Sequence, residues 1–454
     1  MFDLILHGGT LVGPDNRNKA DVAIKDEKIV LIGADLSNEK ASEILSLDGL
    51  FVLPGCIDSH MHLWESGFAT RPDFRDGTLA SISGGITTII DHPLTIPEVL
   101  NKNILEEKKE LGNRTSYLDF ALHGGVGLHN HDQLFELWDS GCTAFKIFMC
   151  ESGSAVAGLR DGDLLNALKI IGSFGGTAIF HAENEDMLQY NKKQLENNQR
   201  IDNKAFLDWR PPIVEYEAIN RILFLMQDTG AKVIILHTTI PEGVNLISQS
   251  REKGLDVWVE TCPHNLYLTD EHLINLGPWV TYSPPVRDIN RVNGLWDQLA
   301  TNKIHIVGSD HGPVEKELKV MGENNIWKGQ YGIPGAETVV SLMLNAVVDE
   351  RITLERLVSV LSEMPARLYG LYPRKGCINV GSDADFTIVD LSKTHTLNAS
   401  EMNTSCGWIP YEGWNLNGKV EYSIIRGQIV LRQGELLVNP GFGKFIGRID
   451  KIKN

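Results

Sequence analysis

The chain has 454 residues, of which 42% are hydrophobic and 22% are charged, a composition typical of a globular protein and not of a disordered or fibrous one. Its 42 Lys and Arg residues against 59 Asp and Glu residues give a formal net charge of -17, so it lacks the basic surface that nucleic-acid binding requires. The length allows several domains, or one α/β barrel with a small additional domain.

Three features bear on the cellular compartment. No run of about 18 apolar residues occurs, which argues against a membrane span. The N-terminal sequence MFDLILHGGT has no basic region of the kind that opens a secretory signal. The six cysteines form no CxxC pair, which favours reduced thiols. We therefore expect a soluble cytoplasmic protein that binds neither nucleic acid nor membranes.

The two ends of the chain have similar residue patterns. The first 50 residues contain short runs rich in Ile, Leu and Val, separated by Gly, Asp and Asn, which is typical of strands and turns. The segments SDADFTIVDL and VEYSIIRGQIVLRQGEL near the C-terminus show the same pattern. These stretches predict one small β-sandwich domain built from both termini, residues 1–52 and 378–454.

Between them, apolar strand-like runs alternate with helix-length segments such as PEVLNKNILEEKKELG and LERLVSVLSEMPARLYGL. The eight runs are FVLPGCIDSHMH, GITTIIDHP, YLDFALHGG, TAFKIFM, TAIFHAE, KVIILHT, DVWVETCPH and IHIVGSDHG. Eight buried strands separated by amphipathic helices favour a parallel sheet closed into a barrel. The chain is therefore predicted to be α/β, with a (β/α)8 TIM-type barrel over residues 53–377.

Ligand-type side chains follow several of these runs, at the barrel face where catalytic groups lie. The first run ends in His60 and His62, which share a face because residues i and i+2 of a strand do. The other candidates are Lys146, His181, His237 and Asp310. Imidazole and carboxylate groups are ligands for an ion such as Zn²⁺, so the set predicts a site for two metals.

Each candidate also has a plain structural interpretation. A single histidine at a strand end is commonly a hydrogen-bonded polar residue, and Lys146 could extend its amine to the barrel edge. His264 and His311 stand nearby, and we interpret them as residues that orient a ligand. Cys150 and Cys262 are expected to be small buried apolar residues. The joint occurrence of the six candidates at one face of five strands makes the metal site the preferred interpretation.

The residues together resemble the cyclic amidase branch of the amidohydrolase superfamily, which comprises hydantoinases, dihydropyrimidinases, allantoinases and dihydroorotases. The motifs that carry the resemblance are PGCIDSHMH, GGITTIID, FKIFM, HAEN, ETCPHNLYLT, SPPVRD and GSDHGP. They are distributed over essentially the whole chain. The pattern is most similar to L-type hydantoinases and allantoinases.

The resemblance implies a set of roles for the candidate ligands. In such enzymes the barrel holds two divalent metal ions, usually Zn²⁺. The more buried metal would be bound by His60, His62 and Asp310. The outer metal would be bound by His181 and His237.

The resemblance also implies a modified lysine and a reaction. Lys146 would be carboxylated by CO₂ to N6-carboxylysine and would bridge the metals, which accounts for a lysine within an apolar strand. A metal-bridging hydroxide would attack the ring amide, with Asp310 as general base and then acid, giving an N-carbamoyl amino acid. The backbone near Ser283, Ile333 and Gly335 would hold the ureide face of the ring.

Departures from the family patterns narrow the substrate. Dihydroorotases follow the histidine pair with an arginine two residues on, whereas this chain continues with Leu63 and Trp64. Many dihydropyrimidinases and D-selective hydantoinases place a tyrosine five residues after the bridging lysine, where this chain has Glu151. Trp64 and Phe148, unless they are ordinary core aromatics, would line a pocket for an apolar 5-substituent. A hydantoin is therefore the first choice of cyclic ureide, followed by allantoin and then a dihydropyrimidine.

Other function classes fit less well. Some dihydropyrimidinase-like proteins keep the barrel as assembly modules after losing metal ligands, but all six candidate ligands are present here. Deaminases of the superfamily usually use one metal and no bridging lysine. The resemblance implies a homotetramer or homodimer, while the sequence leaves the enantiomer preference and the native metal open.

Overall fold

The computed structural model describes residues 1–63, 73–151 and 156–449 of the chain. The N-terminal strands are β1 Phe2–His7, β2 Thr10–Val12, β3 Arg17–Lys19, β4 Asp21–Lys25, β5 Lys28–Gly33, β6 Ala41–Ser46 and β7 Phe51–Pro54. Four of them form one sheet in the order β5-β4-β1-β6, while β2, β3 and β7 belong to a second sheet.

The strands that follow β7 form a parallel ring. They are β8 Cys56–Met61, β9 Ile86–Asp91, β10 Asp119–Leu122, β11 Gly124–Gly125, β12 Phe145–Phe148, β13 Thr177–His181, β14 Lys232–Ile235, β15 Val257–Thr261 and β16 Ile306–Val307. Except for β10 and β11, each pairs in parallel with the next along the chain. Only His123 separates β10 from β11, so these two are pieces of one barrel strand. The ring closes where Met61 bridges His311 beyond β16. The predicted (β/α)8 barrel is confirmed in the described ranges.

Helices connect the barrel strands and close the barrel. They are α1 Phe74–Ser83, α2 Lys102–Thr115, α3 Leu134–Asp139, α4 Asp161–Ser173, α5 Glu185–Asn197, α6 Lys204–Trp209, α7 Pro212–Leu225, α8 Pro241–Glu252, α9 Pro263–Tyr267, α10 Asp270–Leu276, α11 Ile289–Ala300, α12 Lys316–Val320, α13 Val339–Val348, α14 Leu354–Val358 and α15 Met364–Leu368. Single 3-10 turns lie at His131–Gln133, Gly277–Val280, Ile326–Lys328 and Ala399–Glu401, and a π-helical turn at Ser359–Glu363 joins α14 to α15. In the described part of the chain, no helix combines the length and apolar character needed to cross a bilayer.

One helix begins later than its apolar pattern suggests. The segment PEVLNKNILEEKKELG starts at residue 97, but α2 starts at Lys102. The side chain of Asn101 accepts a hydrogen bond from the Ile104 N–H and caps the helix there. Capping chemistry therefore sets this boundary, and the apolar periodicity does not.

The C-terminal strands complete the second sheet. They are β17 Phe386–Thr396, β18 Asn415–Ile425, β19 Gln428–Arg432 and β20 Glu435–Leu436, and the sheet order is β20-β19-β18-β17-β7-β2-β3. Because β17 pairs antiparallel with β7, the two ends of the chain share this sheet. Apolar residues from both sheets, such as Val22, Ile24, Val52, Phe386 and Ile424, form one buried cluster. The predicted β-sandwich from both termini is confirmed, whereas its exact boundaries at residues 52 and 378 stay predictions.

A layer of apolar side chains fills the barrel interior. Its strand residues include Ile57, Ile90, Ala121, Ile179, Ile234 and Ile306, and Tyr369 and Leu371 contribute to the same cluster from the segment after α15. Along their strands, Ile57, Ile179 and Ile306 precede the candidate ligands His60, His181 and Asp310 by two to four residues. The packed layer therefore forms a floor beneath the predicted site.

A buried ion cluster joins the barrel to the sandwich. The Lys375 Nζ lies 2.6 Å from Oδ2 of Asp119 on β10 and 3.1 Å from Oδ2 of Asp383, and it also contacts Asp385. Arg426, in the turn after β18, forms an ion pair with Asp119 as well. Burial alone would lower the pKa of Lys375, but the Asp385 and Asp119 carboxylates outweigh burial and raise it. The ammonium thus stays charged within the domain interface.

Replacing Lys375 with Met should destabilise the protein by about 3–5 kcal/mol, because it leaves buried carboxylates without a counter-charge. The free energy of unfolding from denaturant titration measures the effect. Lys102→Met is the control, since Lys102 and Glu136 form an exposed pair 3.7 Å apart, and it should cost less than about 1 kcal/mol. Equal stability of the two variants would refute a structural role for the cluster.

Candidate functional site

The first barrel strand brings two imidazoles to one carboxylate. His60 is the penultimate residue of β8 and His62 follows its end. The Nε2 atoms of His60 and His62 both lie 3.1 Å from Oδ1 of Asp310. The shared face that the i, i+2 spacing predicts is therefore present. Counted around the barrel, β8 is strand one, β13 is strand five, β14 is strand six and β16 is strand eight, and strand eight supplies the third group.

Asp310 reaches this point through an unusual backbone conformation. It follows β16 with φ +48°, in the left-handed region that non-glycine residues rarely adopt. The next residue, His311, pairs with both Met61 and Ile333, which holds the segment between strand one and the loop after residue 332. The surrounding pairing thus maintains a strained residue, as is common at functional sites.

A second pair of histidines lies beside the first group. Nδ1 of His181, at the end of β13, lies 3.1 Å from Nε2 of His237, which follows β14. The rings of His60 and His237 have centroids 5.4 Å apart. His237, like Asp310, has a positive φ, of 33°. Nitrogen atoms from strands five and six are therefore adjacent to the group from strands one and eight.

Lys146 lies within β12 and is 1% exposed. Among the described residues it forms no ion pair, and its Nζ lies 4.8 Å above the ring of Phe148. Burial lowers the pKa of Lys146 to about 8, although Asp310 and Glu260 oppose the shift. A buried amine with a lowered pKa has an appreciable neutral, nucleophilic fraction. The alternative of an amine extended to solvent does not match this environment.

The charges of the site suit a cation. Burial lowers the pKa of His60, but Asp310 and Glu260 outweigh burial and raise it to about 9. Burial lowers the pKa of His62 to about 4 and that of His237 well below its usual value. The pKa of Asp310 is held well below its usual range, because His60 and His62 outweigh the opposing effect of burial. His62 and His237 are therefore neutral and Asp310 is ionised, the forms in which these groups bind metals. The raised pKa of His60 shows that the carboxylates around it favour a positive charge there, which a bound metal ion would supply.

The donor set fits a divalent metal. Ligand atoms of His60, His237 and Asp310 lie within 4.8 Å of one another, so groups predicted for the inner metal and for the outer metal belong to one compact cluster. The buried Nε2 of His60 has no hydrogen-bond partner among the described residues, although it faces Asp310. Mixed nitrogen and oxygen donors in a buried cavity favour an ion of the Zn²⁺ type.

Two buried glutamates, Glu260 and Glu183, contact these imidazoles from behind and orient them. Neither glutamate was in the predicted ligand set. Oε1 of Glu260, on β15, lies 2.6 Å from Nδ1 of His60. Oε2 of Glu183 lies 2.7 Å from Nε2 of His181, and Glu183 also forms a buried ion pair with Arg210. Such carboxylates fix the imidazole tautomer in which the opposite ring nitrogen is available to bind a metal ion. The sequence does contain one sign of this role for Glu260, which is a charged residue inside the apolar run DVWVETCPH.

Two further buried histidines lie beside the candidate ligands. The ring of His92 stacks on His60 with centroids 4.1 Å apart and an interplanar angle of 7°. His123 lies edge-on to His92 at 4.9 Å, and its Nδ1 is 2.9 Å from the Thr143 hydroxyl. Because the two rings are stacked nearly parallel, an ion in the plane of the His60 ring would lie outside the plane of the His92 ring. His92 and His123 therefore lie beside the candidate ligands.

The remaining residues near the site have more ordinary environments. Burial raises the pKa values of Cys150 and Cys262, so both are neutral thiols, as expected for small buried residues. The ring of His264 packs 4.0 Å from that of Tyr282, measured between centroids. Nδ1 of His311 accepts hydrogen bonds from the backbone of the loop that follows residue 332.

The predicted substrate-binding residues lie on adjoining segments. Ser283 is half-buried, whereas Ile333 and Gly335 are buried in the loop that pairs with strand eight. Phe148 is buried with its ring centroid 5.5 Å from that of His181. Trp64 lies outside the described residues. The described part of the predicted pocket is therefore close to the candidate ligands.

Known proteins match the chain over nearly its whole length. The model of the amidohydrolase family matches residues 51–430. The L-hydantoinase of Paenarthrobacter aurescens is 37% identical, covering 99% of this chain and 98% of the relative, and the allantoinase of Deinococcus radiodurans is 34% identical, covering 97% of each. The solved L-hydantoinase (dihydropyrimidinase) from Arthrobacter aurescens aligns with a TM-score of 0.97 at 36% identity, covering 99% of this chain and 100% of that one. A solved D-hydantoinase gives 0.92 at 32% identity, with 99% of both chains covered.

The role of Glu260 can be tested by metal retention. Glu260→Leu should weaken metal binding about 10- to 100-fold, because His60 loses the acceptor that fixes its ring. Metal content after dialysis against graded chelator, measured by mass spectrometry, gives the affinity. Glu421→Leu removes an equally buried carboxylate in the sandwich and should leave metal content unchanged. Unaltered metal retention in Glu260→Leu would show that His60 is oriented by other contacts.

Proposed function

Since the chain belongs to the amidohydrolase family, we propose that it hydrolyses a five-membered cyclic ureide of the hydantoin type to an N-carbamoyl amino acid. The observation that supports this most directly is the convergence of His60, His62 and Asp310 beside the pair His181 and His237. Amidohydrolases are metal-dependent, and the chain has residue groups that could hold metal ions. Its relatives named hydantoinase and allantoinase are hydrolases of cyclic amides.

We infer that the site holds two divalent metal ions, most simply Zn²⁺, and that Lys146 would serve as a ligand in the form of N6-carboxylysine. His60, His62 and Asp310 would hold the inner ion, and the histidines of strands five and six the outer one. When bound, such ions supply the Lewis acidity that activates water and polarises a carbonyl group. Two properties of Lys146 support its carboxylation: a pKa lowered to about 8 by burial, and the absence of an ion-pair partner among the described residues.

Asp310 is proposed to move the proton during ring opening. Its carboxylate lies 3.1 Å from two imidazole nitrogens, and its pKa is held well below the usual range, so it is ionised and can accept a proton from the attacking water. The protonated form would then donate to the ring nitrogen that leaves. The contacts of Oδ1 with both imidazoles hold the direction of this carboxylate, whose backbone has a φ of +48°.

Recognition of the ring is assigned to backbone groups and to an apolar wall. Backbone amides and carbonyls at Ser283, Ile333 and Gly335 would pair with the ureide face. Phe148, buried beside His181, would contact the 5-substituent, together with Trp64 from outside the described residues. An apolar wall favours an alkyl or aryl hydantoin over the polar side chain of allantoin.

Allantoin is the second candidate substrate. It is supported by the allantoinase of Deinococcus radiodurans, whose 34% identity is close to the 37% of the L-hydantoinase. The choice depends on a few pocket side chains, because both reactions open the same kind of ring.

We further propose that the protein assembles as a homotetramer or homodimer. Ile213, Tyr216 and Phe224 lie on one face of α7 and are 54%, 37% and 70% exposed, which is a large apolar area for an outer helix. A second copy of the chain would cover this face.

A substrate panel tests the reaction. Metal-loaded enzyme is given 5-substituted L- and D-hydantoins, allantoin and dihydrouracil at equal concentration and fixed pH, and ring opening is followed as product formation. We expect the highest kcat/KM for an alkyl or aryl hydantoin. Preference for allantoin would establish the second candidate, and the absence of ring opening with all four classes would refute the proposal.

The bridging lysine is tested separately. Lys146→Ala should lose bound metal and reduce ring opening. The reduction should exceed roughly 100-fold, which is the cost of losing a residue that only orients a metal ligand. Lys169→Ala changes an exposed lysine on α4 and should match wild type in both readouts. Circular dichroism establishes that both variants are folded. Near-wild-type turnover of folded Lys146→Ala would contradict the carboxylysine assignment.

A further inference from the structure

We propose that His311 is a positioning residue whose imidazole holds the loop 332–336 in register with Asp310. Ring recognition and proton transfer would then be aligned by one side chain. The inference rests on the proposed function, because that function assigns Ile333 and Gly335 to the substrate and Asp310 to the reaction.

The first observation is a pair of hydrogen bonds to one nitrogen. Nδ1 of His311 accepts the backbone N–H of Gly335 at 3.1 Å and that of Ala336 at 3.2 Å. The side chain is 1% exposed, so water does not supply a substitute acceptor readily. Because Nδ1 accepts, the ring proton must be on Nε2, and the tautomer is fixed.

The second observation is that the backbone of His311 is tied to the candidate ligands. Its carbonyl accepts the N–H of His62 at 2.9 Å, and its own N–H donates to the Ser309 hydroxyl at 3.0 Å. His311 is also the immediate neighbour of Asp310. Its main chain therefore contacts the ligand segments of strands one and eight, while its side chain contacts the proposed recognition loop.

The third observation is how closely the two segments pack. A Cβ added to Gly335 would lie 2.7 Å from the Ser309 carbonyl oxygen, and one added to Gly332 would lie 2.0 Å from that of Gly312. Gly332 also has φ +119°, a conformation that strongly favours glycine. The backbones are in direct contact, so a displacement of the loop changes its distance to Asp310 directly.

The loop 332–336 also contacts the segment that contains Ser283. The Gly332 N–H donates to the Thr281 carbonyl at 2.9 Å, two residues before Ser283. The Gly312 N–H donates to the Ile333 carbonyl at 3.1 Å. All three proposed substrate contacts are thus connected to strand eight, and His311 supplies the side-chain part of that connection.

Two variants separate positioning from folding. His311→Leu removes the acceptor, whereas His311→Asn can place a carbonyl oxygen close to the position of Nδ1. His305→Leu is the matched control, because buried His305 also accepts a backbone hydrogen bond on Nδ1, from Val259 at 3.3 Å, but immediately before β16 and away from the ligand-bearing strand ends. Kinetics with the best substrate of the panel, metal content and hydrogen exchange of peptides covering 332–336 are compared.

We expect His311→Leu to lower kcat/KM by about 100-fold, since a misplacement of about 1 Å between the ring and Asp310 has that cost. KM should rise as well, because the loop that holds the ring is displaced. Metal content should stay at the wild-type level, and exchange should accelerate within 332–336. His311→Asn should recover most of the loss, and His305→Leu should keep the wild-type KM and the wild-type exchange in that loop.

Unchanged KM in metal-replete His311→Leu, or an Asn variant no better than the Leu variant, would overturn the proposal. Failure of the proposed function has a different signature, because wild type itself would then open no cyclic ureide. In that case the exchange data alone decide whether His311 holds the loop, and equal exchange in wild type and His311→Leu refutes it.

Discussion

Closure of the parallel barrel is the constraint on which the other features depend. The ring closes between Met61 and His311, one residue after His60 and one residue after Asp310. Because parallel strands all end at the same rim, closure brings groups separated by 250 residues to within 3.1 Å. The candidate site is therefore a direct product of the closing contact, and the apolar layer beneath it keeps that contact in place.

The electrostatic character of the site follows from burial. The four candidate imidazoles, an amine and several carboxylates lie in a region that the solvent barely reaches, so burial and neighbouring charges together determine each protonation state. Glu260 and Asp310 favour positive charge at His60, which in a metalloenzyme is the charge of a metal ion. Glu183 and Arg210 perform a related task for His181, one orienting the ring and the other compensating the carboxylate.

Sequence patterns were reliable indicators of structure wherever a local pattern repeats. The alternation of apolar runs with helices predicted the barrel, and the similar strand-and-turn patterns at the two termini predicted the shared β-sandwich. Both predictions are confirmed. The i, i+2 spacing of His60 and His62 and their position at a strand end placed both on one face. The polar partners Glu260 and Arg210 escaped prediction, because they act through contacts between separate elements that no local period records.

What the sequence determined by itself is the family, the barrel with its β-sandwich, and the residue types able to bind metal, since these are encoded in hydrophobic periodicity and in motifs at strand ends. What only the tertiary structure decided is which atoms meet: Nε2 of both strand-one histidines at Asp310, Nδ1 of His181 at His237, and the loop 332–336 at His311. The physical reason is that these contacts join different strands. Their geometry depends on strand register, on left-handed residues such as Asp310 and on the tightness of the closed ring, none of which a single segment of sequence contains.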